Sequence, residues 1–205
     1  LLTLEVRNQI IEQIEGNNRE DPDSQWLPYI ADMILDMAWE PYSNDVFRTG
    51  LIKDIQACYY AINKLPNGLH LRGDLDLSSM KCEVRLPENT EVEGSLDLSH
   101  IQSLTSLPDG LKAKELDISS CSQIETIDAE IHISGTFTIV DCPKFKSLTS
   151  PFYSFGSLII RNCPVFEILP NTLTTAQNLI LCSNPKLSVL PSEVKVNNAL
   201  VIENC

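Results

Sequence analysis

No window of the 205-residue chain approaches the run of roughly 18 apolar residues that a membrane-crossing helix needs, and no signal-peptide pattern opens it. The chain begins at Leu1 and not at Met, as expected of a piece of a longer protein, so a targeting segment could lie outside it. Positive charge is scarce: 15 Lys and Arg stand against 28 Asp and Glu, a net −13. The deficit is not a tail, because residues 1–64 carry 5 basic against 11 acidic side chains and residues 65–205 carry 10 against 17. Nucleic-acid binders need basic patches to displace phosphate counterions, so that class is disfavoured. An anionic membrane surface is disfavoured for the same reason. A basic or neutral protein partner stays open, and the chain is expected to act as a monomer.

Motifs of chemistry are also missing. There is no P-loop, no G-x-G-x-x-G, no H-E-x-x-H and no EF-hand spacing. None of the seven cysteines has a second cysteine within three residues, which removes the usual spacing for a zinc site. Unpaired cysteine spacing points to a reducing compartment. His70, His100 and His132 have no Ser or Cys partner pattern and read as lone surface or turn residues. The Arg-Gly-Asp within "LRGDLDL" enters a strand and reads as incidental. An acidic metal site at Asp74, Asp76 and Asp97 is a weak alternative, and no metal, cofactor or catalytic residue is expected.

What the chain does contain is a repeat. Apolar residues are 43% and charged residues 21%, as in a globular protein. Aligned on Leu-Pro pairs, seven copies begin at Leu65, Leu86, Leu107, Ile127, Leu148, Leu169 and Leu190, the last cut short, with a period of 21 residues and a single 20. Each copy carries an apolar-x-apolar core: Leu75/Leu77, Leu96/Leu98, Leu116/Ile118, Phe137/Ile139, Leu158/Ile160, Leu179/Leu181 and Leu200/Ile202. Alternation at period two is a strand with one buried face. One short strand cannot bury that face alone, so stacked copies predict a parallel sheet with one strand per repeat. The return path carries Pro and a single apolar anchor, which predicts an extended or turn-like course and not a helix.

Three residues after the second apolar position stands a column of Met80, Ile101, Cys121, Cys142, Cys163, Asn184 and Cys205. The column reads as small buried residues whose thiol or amide donors cap turn carbonyls. Met80 and Ile101 depart from the rule and predict modified turns in the first two copies.

This spacing matches the L-x-L-x-x-N/C-x-L signature, and residues 65–205 resemble leucine-rich repeats. The short copies that begin Leu-Pro are most similar to repeats of host-directed bacterial effectors. The Cys-Pro-x-apolar-x-x-Leu-Pro wording also resembles repeats of plant immune receptors. The resemblance implies an α/β repeat solenoid: an N-terminal helical cap over 1–64, then a curved leucine-rich repeat array over 65–205. A parallel sheet would form its concave side and a mostly non-helical path its convex side. It also implies a protein-recognition module, the targeting part of a secreted effector in the cytoplasm of a host cell. The alternatives are the substrate arm of a larger ubiquitin-ligase effector, or a segment of a plant-type immune receptor. The Cys-x-Asp motif in which such ligase domains resemble one another does not occur in this chain.

The lead-in predicts three helices. Leu4, Ile10, Ile11 and Ile14 fit one that ends near Gly16. Trp26, Ile30, Ile34 and Met37 fit a second, with Pro28 in its first turn and Pro41 after it. Phe47, Leu51, Ile55, Cys58 and Ile62 fit a third. "LTLEVRNQIIEQI" faintly resembles the first helix of an F-box, and nothing after it continues that motif.

The candidate functional surface is the strand face turned away from the core. The middle residues of the seven strands form the row Asp76, Asp97, Asp117, Thr138, Ile159, Ile180 and Val201. Asp74, Glu115, Val140, Arg161, Cys182 and Glu203 flank it. Stacked like charges cost stability, and an aligned apolar stripe marks an interaction site. The expected partner is a host protein that offers basic side chains to the acidic end and an apolar element to the other. The alternative is that repeat copies merely resemble one another, the stripe being covered by chain beyond Cys205.

Overall fold

The computed structural model describes residues 3–7, 9–15, 23–38, 40–41, 50–53, 56, 59–78, 80–149, 152–154, 156–171, 173, 175–192 and 194–205. The chain is an α/β repeat solenoid on a parallel sheet, with one short α-helix near its N-terminus. No described helix is long and apolar enough to cross a membrane. The chain divides into two compact units, Leu1–Pro66 with Met80–Arg85, and Asn67–Ser79 with Leu86–Cys205.

In the N-terminal unit the second expected helix forms. Helix α1 spans Leu27–Asp36, carries Pro28 in its first turn, and buries Leu27, Ile30, Ala31 and Ile34. Its ends differ from expectation, because Trp26 and Met37 are exposed. The other two expected helices are corrected to strands. Thr3–Arg7 and Ile10–Glu15 pair as an antiparallel hairpin, so Leu4, Ile10, Ile11 and Ile14 lie on strands and the F-box likeness falls with the helix. Leu51–Lys53 and Tyr59–Ala61 form a second antiparallel pair. Leu51 pairs with Ala61, Ile52 with Tyr60 and Lys53 with Tyr59, a ladder that a helix cannot make. β-branched and aromatic residues in "LIK" and "YYA" favour a pleated strand over the coincidental four-residue spacing. The expected helix end at Gly16, and Phe47, Ile55 and Cys58, lie outside the described residues.

Residues of the first repeat's return path also belong to this unit. The Lys81 backbone N–H donates to Ser24 Oγ at 2.9 Å, and Lys81 Nζ lies 3.4 Å from Asp23 Oδ2. The second unit starts at Asn67, and residues 80–85 group with the N-terminal unit.

In the second unit the strands form two ladders, where the sequence pattern suggested one, and Thr126–Ile127 pairs with Ser147–Leu148 in a further short parallel ladder. The first ladder runs through His70–Leu71, the start of Glu91–Asp97, the start of Leu111–Asp117, Ile131–Ile133 and Phe152–Ser154. The second runs through Leu75–Asp76, the ends of Glu91–Asp97 and Leu111–Asp117, Phe137–Val140, Ser157–Arg161, Thr175–Cys182 and Lys195–Glu203. Both ladders are parallel, and the register shifts between Val92 and Ser95 and between Ala176 and Asn178. Among the described residues the return path contains no helix, as expected.

A glycine-rich bend separates the two ladders. Gly94 donates its N–H to the Gly73 carbonyl at 3.0 Å. A Cβ added at Gly94 would lie 2.6 Å from both the carbonyl carbon and the oxygen of Gly73. That neighbour is backbone and cannot rotate away. Gly94→Ala is therefore expected to destabilise the array by about 1–3 kcal/mol, read as a lower urea midpoint. An unchanged midpoint would mean the two chains do not approach so closely.

After the second segment comes a left-handed residue in every described copy: His100, Ser120, Asp141, Asn162, Ser183 and Asn204, with φ between 53° and 60°. These are short or ring side chains that tolerate this conformation, as Asn and Asp do best. The chain then turns through the column residue. Phe145 N–H donates to Cys142 C=O at 3.3 Å, Phe166 to Cys163 at 3.0 Å and Leu187 to Asn184 at 3.0 Å. Pro143, Pro164 and Pro185 sit second in these turns, where a fixed φ is favourable. Leu104 N–H donates to Ile101 C=O at 3.2 Å, so the second copy keeps the same turn despite its isoleucine. The backbone makes the turn, and the expected modification at Ile101 does not occur. The turn residues drive Phe145, Phe166 and Leu187 inward, and the two phenyl rings stack with centroids 5.3 Å apart.

Candidate interaction surface

The second ladder places the expected row in one line. Asp76 pairs with Asp97, Asp97 with Asp117, and Asp117 with Thr138. Thr138 pairs with Ile159, Ile159 with Ile180, and Ile180 with Val201. Each stands between two apolar neighbours that point into the core, so the pleat forces the row outward. Leu158, Ile160, Leu179 and Leu181 are all fully buried. Ile159, Ile180 and Val201 are half-buried and not fully exposed, because in-register neighbours cover one another's flanks. On the last strand the core positions Leu200 and Ile202 are 53% and 45% exposed, since no further strand stacks on them.

The acidic end is held rigidly. Asp76 Oδ1 accepts the Ser78 N–H, Asp97 Oδ1 the Ser99 N–H and Asp117 Oδ1 the Ser119 N–H, each at 2.8 Å. These are Asx turns that close the strand ends, a role that the wording Leu-Asp-Leu-Ser, or Leu-Asp-Ile-Ser at Asp117, signals and the sequence reading missed. Asp74 Oδ1 accepts the Ser95 N–H at 2.8 Å, and Ser95 Oγ donates to Glu115 at 3.0 Å. Each of Asp74, Asp76 and Asp97 serves a different backbone N–H, and among the described residues no cluster of three ligating side chains occurs. The weak metal alternative has no geometry behind it.

None of the ion pairs among the described residues involves Asp74, Asp76, Asp97, Glu115 or Asp117. Elsewhere in the array carboxylates do have partners: Lys146 with Glu125, Lys186 with Glu167 and Lys112 with Glu91. The apolar end has its own flank, in which Val140, Arg161 and Cys182 are in register and Arg161 is exposed.

The cysteine column lies behind the turns and not on this face. Cys121 Sγ donates to Leu98 C=O at 3.2 Å and Cys142 Sγ to Ile118 C=O at 3.3 Å. Asn184 makes the same contact at 2.9 Å and also accepts the Cys163 N–H at 3.1 Å, so it ties two copies together. Burial pushes the Cys121 thiol up to about 12, with neighbouring Cys142 adding to it. Cys163 is also raised, by its hydrogen bond with the Cys142 thiol and then by burial. Neither is a nucleophile at neutral pH.

A second outward row escaped the sequence reading. On the first ladder His70 pairs with Glu91, Glu91 with Lys112, and Lys112 with His132. His70 and His132 lie at the surface, as one of the two expectations had it, but on strands of a charged row and not alone. His70 Nε2 lies 3.2 Å from Glu93, and His132 Nε2 lies 3.3 Å from Glu130. Beside them an open hollow of about 450 Å³ is lined by Glu91, Lys112, Lys114 and His132. The alternation of "LHL" and "IHI" in equivalent places was the available signal. Comparison of the chain with protein-family models, curated proteins and solved structures finds no match.

Proposed function

We propose that the chain is a protein-recognition module that docks its partner on the outward face of the second ladder. One observation carries the reading: a single in-register row of acidic residues without ion pairs among the described residues, continuing into a β-branched apolar stripe. Like charges stacked on adjacent strands cost stability, and an aligned apolar stripe invites contact. A partner with cations opposite Asp76, Asp97 and Asp117, and an apolar element opposite Ile159, Ile180 and Val201, relieves both. Association would be steered by charge and weakened by salt. The likeness to leucine-rich repeats of host-directed effectors extends the proposal to target recognition for a secreted bacterial effector. Free thiols at the six described cysteines suit a reducing host cytoplasm.

The double substitution Ile159→Asp plus Ile180→Asp tests the face. Both side chains are half-exposed, so the protein should still unfold cooperatively, at a cost of about 1–2 kcal/mol. Capture of its partner from host lysate should drop by at least about tenfold. A folded double variant that captures the same partner as well as the parent would remove this face from the proposal.

A further inference from the structure

We infer that the element docked on this face is an amphipathic α-helix lying across the strands, with cations at one end and apolar side chains at the other. The inference rests on the docking reading above and adds the conformation and charge order of the partner.

The geometry decides between a helix and an extended segment. Side chains of the row repeat at the strand spacing of about 4.8 Å, and six intervals span about 29 Å. A helix presents one side-chain row per turn of about 5.4 Å, so it slips only about 0.6 Å per strand. An extended segment presents same-face side chains about 6.8 Å apart and slips about 2 Å per strand. Over the three apolar rungs Ile159, Ile180 and Val201, the helix stays in step and the extended chain does not. The face also offers no backbone groups to an added strand, since those are spent within the ladder.

Charge sets the order along that helix. Asp76, Asp97 and Asp117 occupy three successive rungs, with Asp74 and Glu115 beside them. The Asx hydrogen bonds hold the three row aspartates in one orientation, and Ser95 ties Asp74 and Glu115 together. Cations on successive turns of the helix meet carboxylates already in place, which lowers the ordering cost. After Thr138 the row becomes apolar, and Arg161 beside it offers a charge to one carboxylate on the helix flank. The full row accommodates about 19 helical residues at 1.5 Å each.

The test uses three synthetic peptides of equal length and charge with the full chain. One is a helix with Lys on one face at one end and Leu on the same face at the other. The second scatters the same residues around the helix. The third keeps the order but carries central prolines that prevent the helix. The ordered helix should bind at least about tenfold tighter than either control, and added salt should weaken it. Asp76→Asn, Asp97→Asn and Asp117→Asn together should weaken it about tenfold, because Asn retains the Asx turn but not the charge. Equal binding of the ordered and proline peptides, or no binding of either, would overturn the helix inference and leave the docking reading standing. Undiminished binding of the ordered helix to the Ile159→Asp plus Ile180→Asp variant would overturn the docking face itself.

Discussion

Phe166→Ala is expected to cost about 3–5 kcal/mol, the largest loss of any single truncation in the array. Phe166 is fully buried and stacks on equally buried Phe145, with the rings within 5° of parallel. The turn that closes on Cys163 C=O fixes its entry into the core. Truncation leaves a cavity that neighbouring turns, held by ladder hydrogen bonds on both sides, cannot collapse to fill. Phe145 also loses the stacking contact, worth about 0.5–1.5 kcal/mol beyond area burial. Phe166→Leu should cost much less, because Leu187 fills the equivalent place in the next copy. Urea unfolding of the two variants checks the ranking. A loss below about 1 kcal/mol for the alanine variant would show that the site repacks.

Asn184→Leu comes second, at about 2–5 kcal/mol, for a different reason. Asn184 is fully buried and serves two backbone groups of neighbouring copies, the Ile160 carbonyl at 2.9 Å and the Cys163 N–H at 3.1 Å. Leucine fills much of the volume but leaves both groups in the core without partners, and each costs about 1–3 kcal/mol. Asn184→Cys should be milder, since a thiol at the equivalent place still reaches a carbonyl, as Cys121 and Cys142 do. Chemical denaturation should therefore rank leucine below cysteine below the parent. Equal stability of the leucine variant and the parent would remove the amide from its assigned role.

These two residues also show what the sequence made legible. Period, register and the inward apolar pairs are strict, because every copy must bury the same face against the next. The column of Cys and Asn reads for the same reason: its place behind the turn is buried in every described copy but the last, and a thiol or amide there also reaches a backbone carbonyl. The row from Asp76 to Val201 follows directly, since a residue between two core neighbours on a strand has only one way to point. The first ladder was hidden because its alternation is regular in "LHL" and "IHI" but broken by polar residues such as Ser154. The N-terminal unit misled for the opposite reason. Apolar spacings of three and four there mimic a helix, while neighbouring buried pairs such as Leu51 and Ile52 are made by strand pairing. The Asx bonds of Asp76, Asp97 and Asp117 were readable from the serine two residues on, and they give the acidic end a structural duty beside its charge.

Photo-crosslinking tests the docking face most directly. A photoreactive side chain is placed at Thr138 or Cys182 on the outward face, or at exposed Lys144 or Lys186 on the turns of the return side. The account predicts partner adducts from Thr138 and Cys182 and none from Lys144 or Lys186. Adducts from the turn positions with none from the face would contradict it.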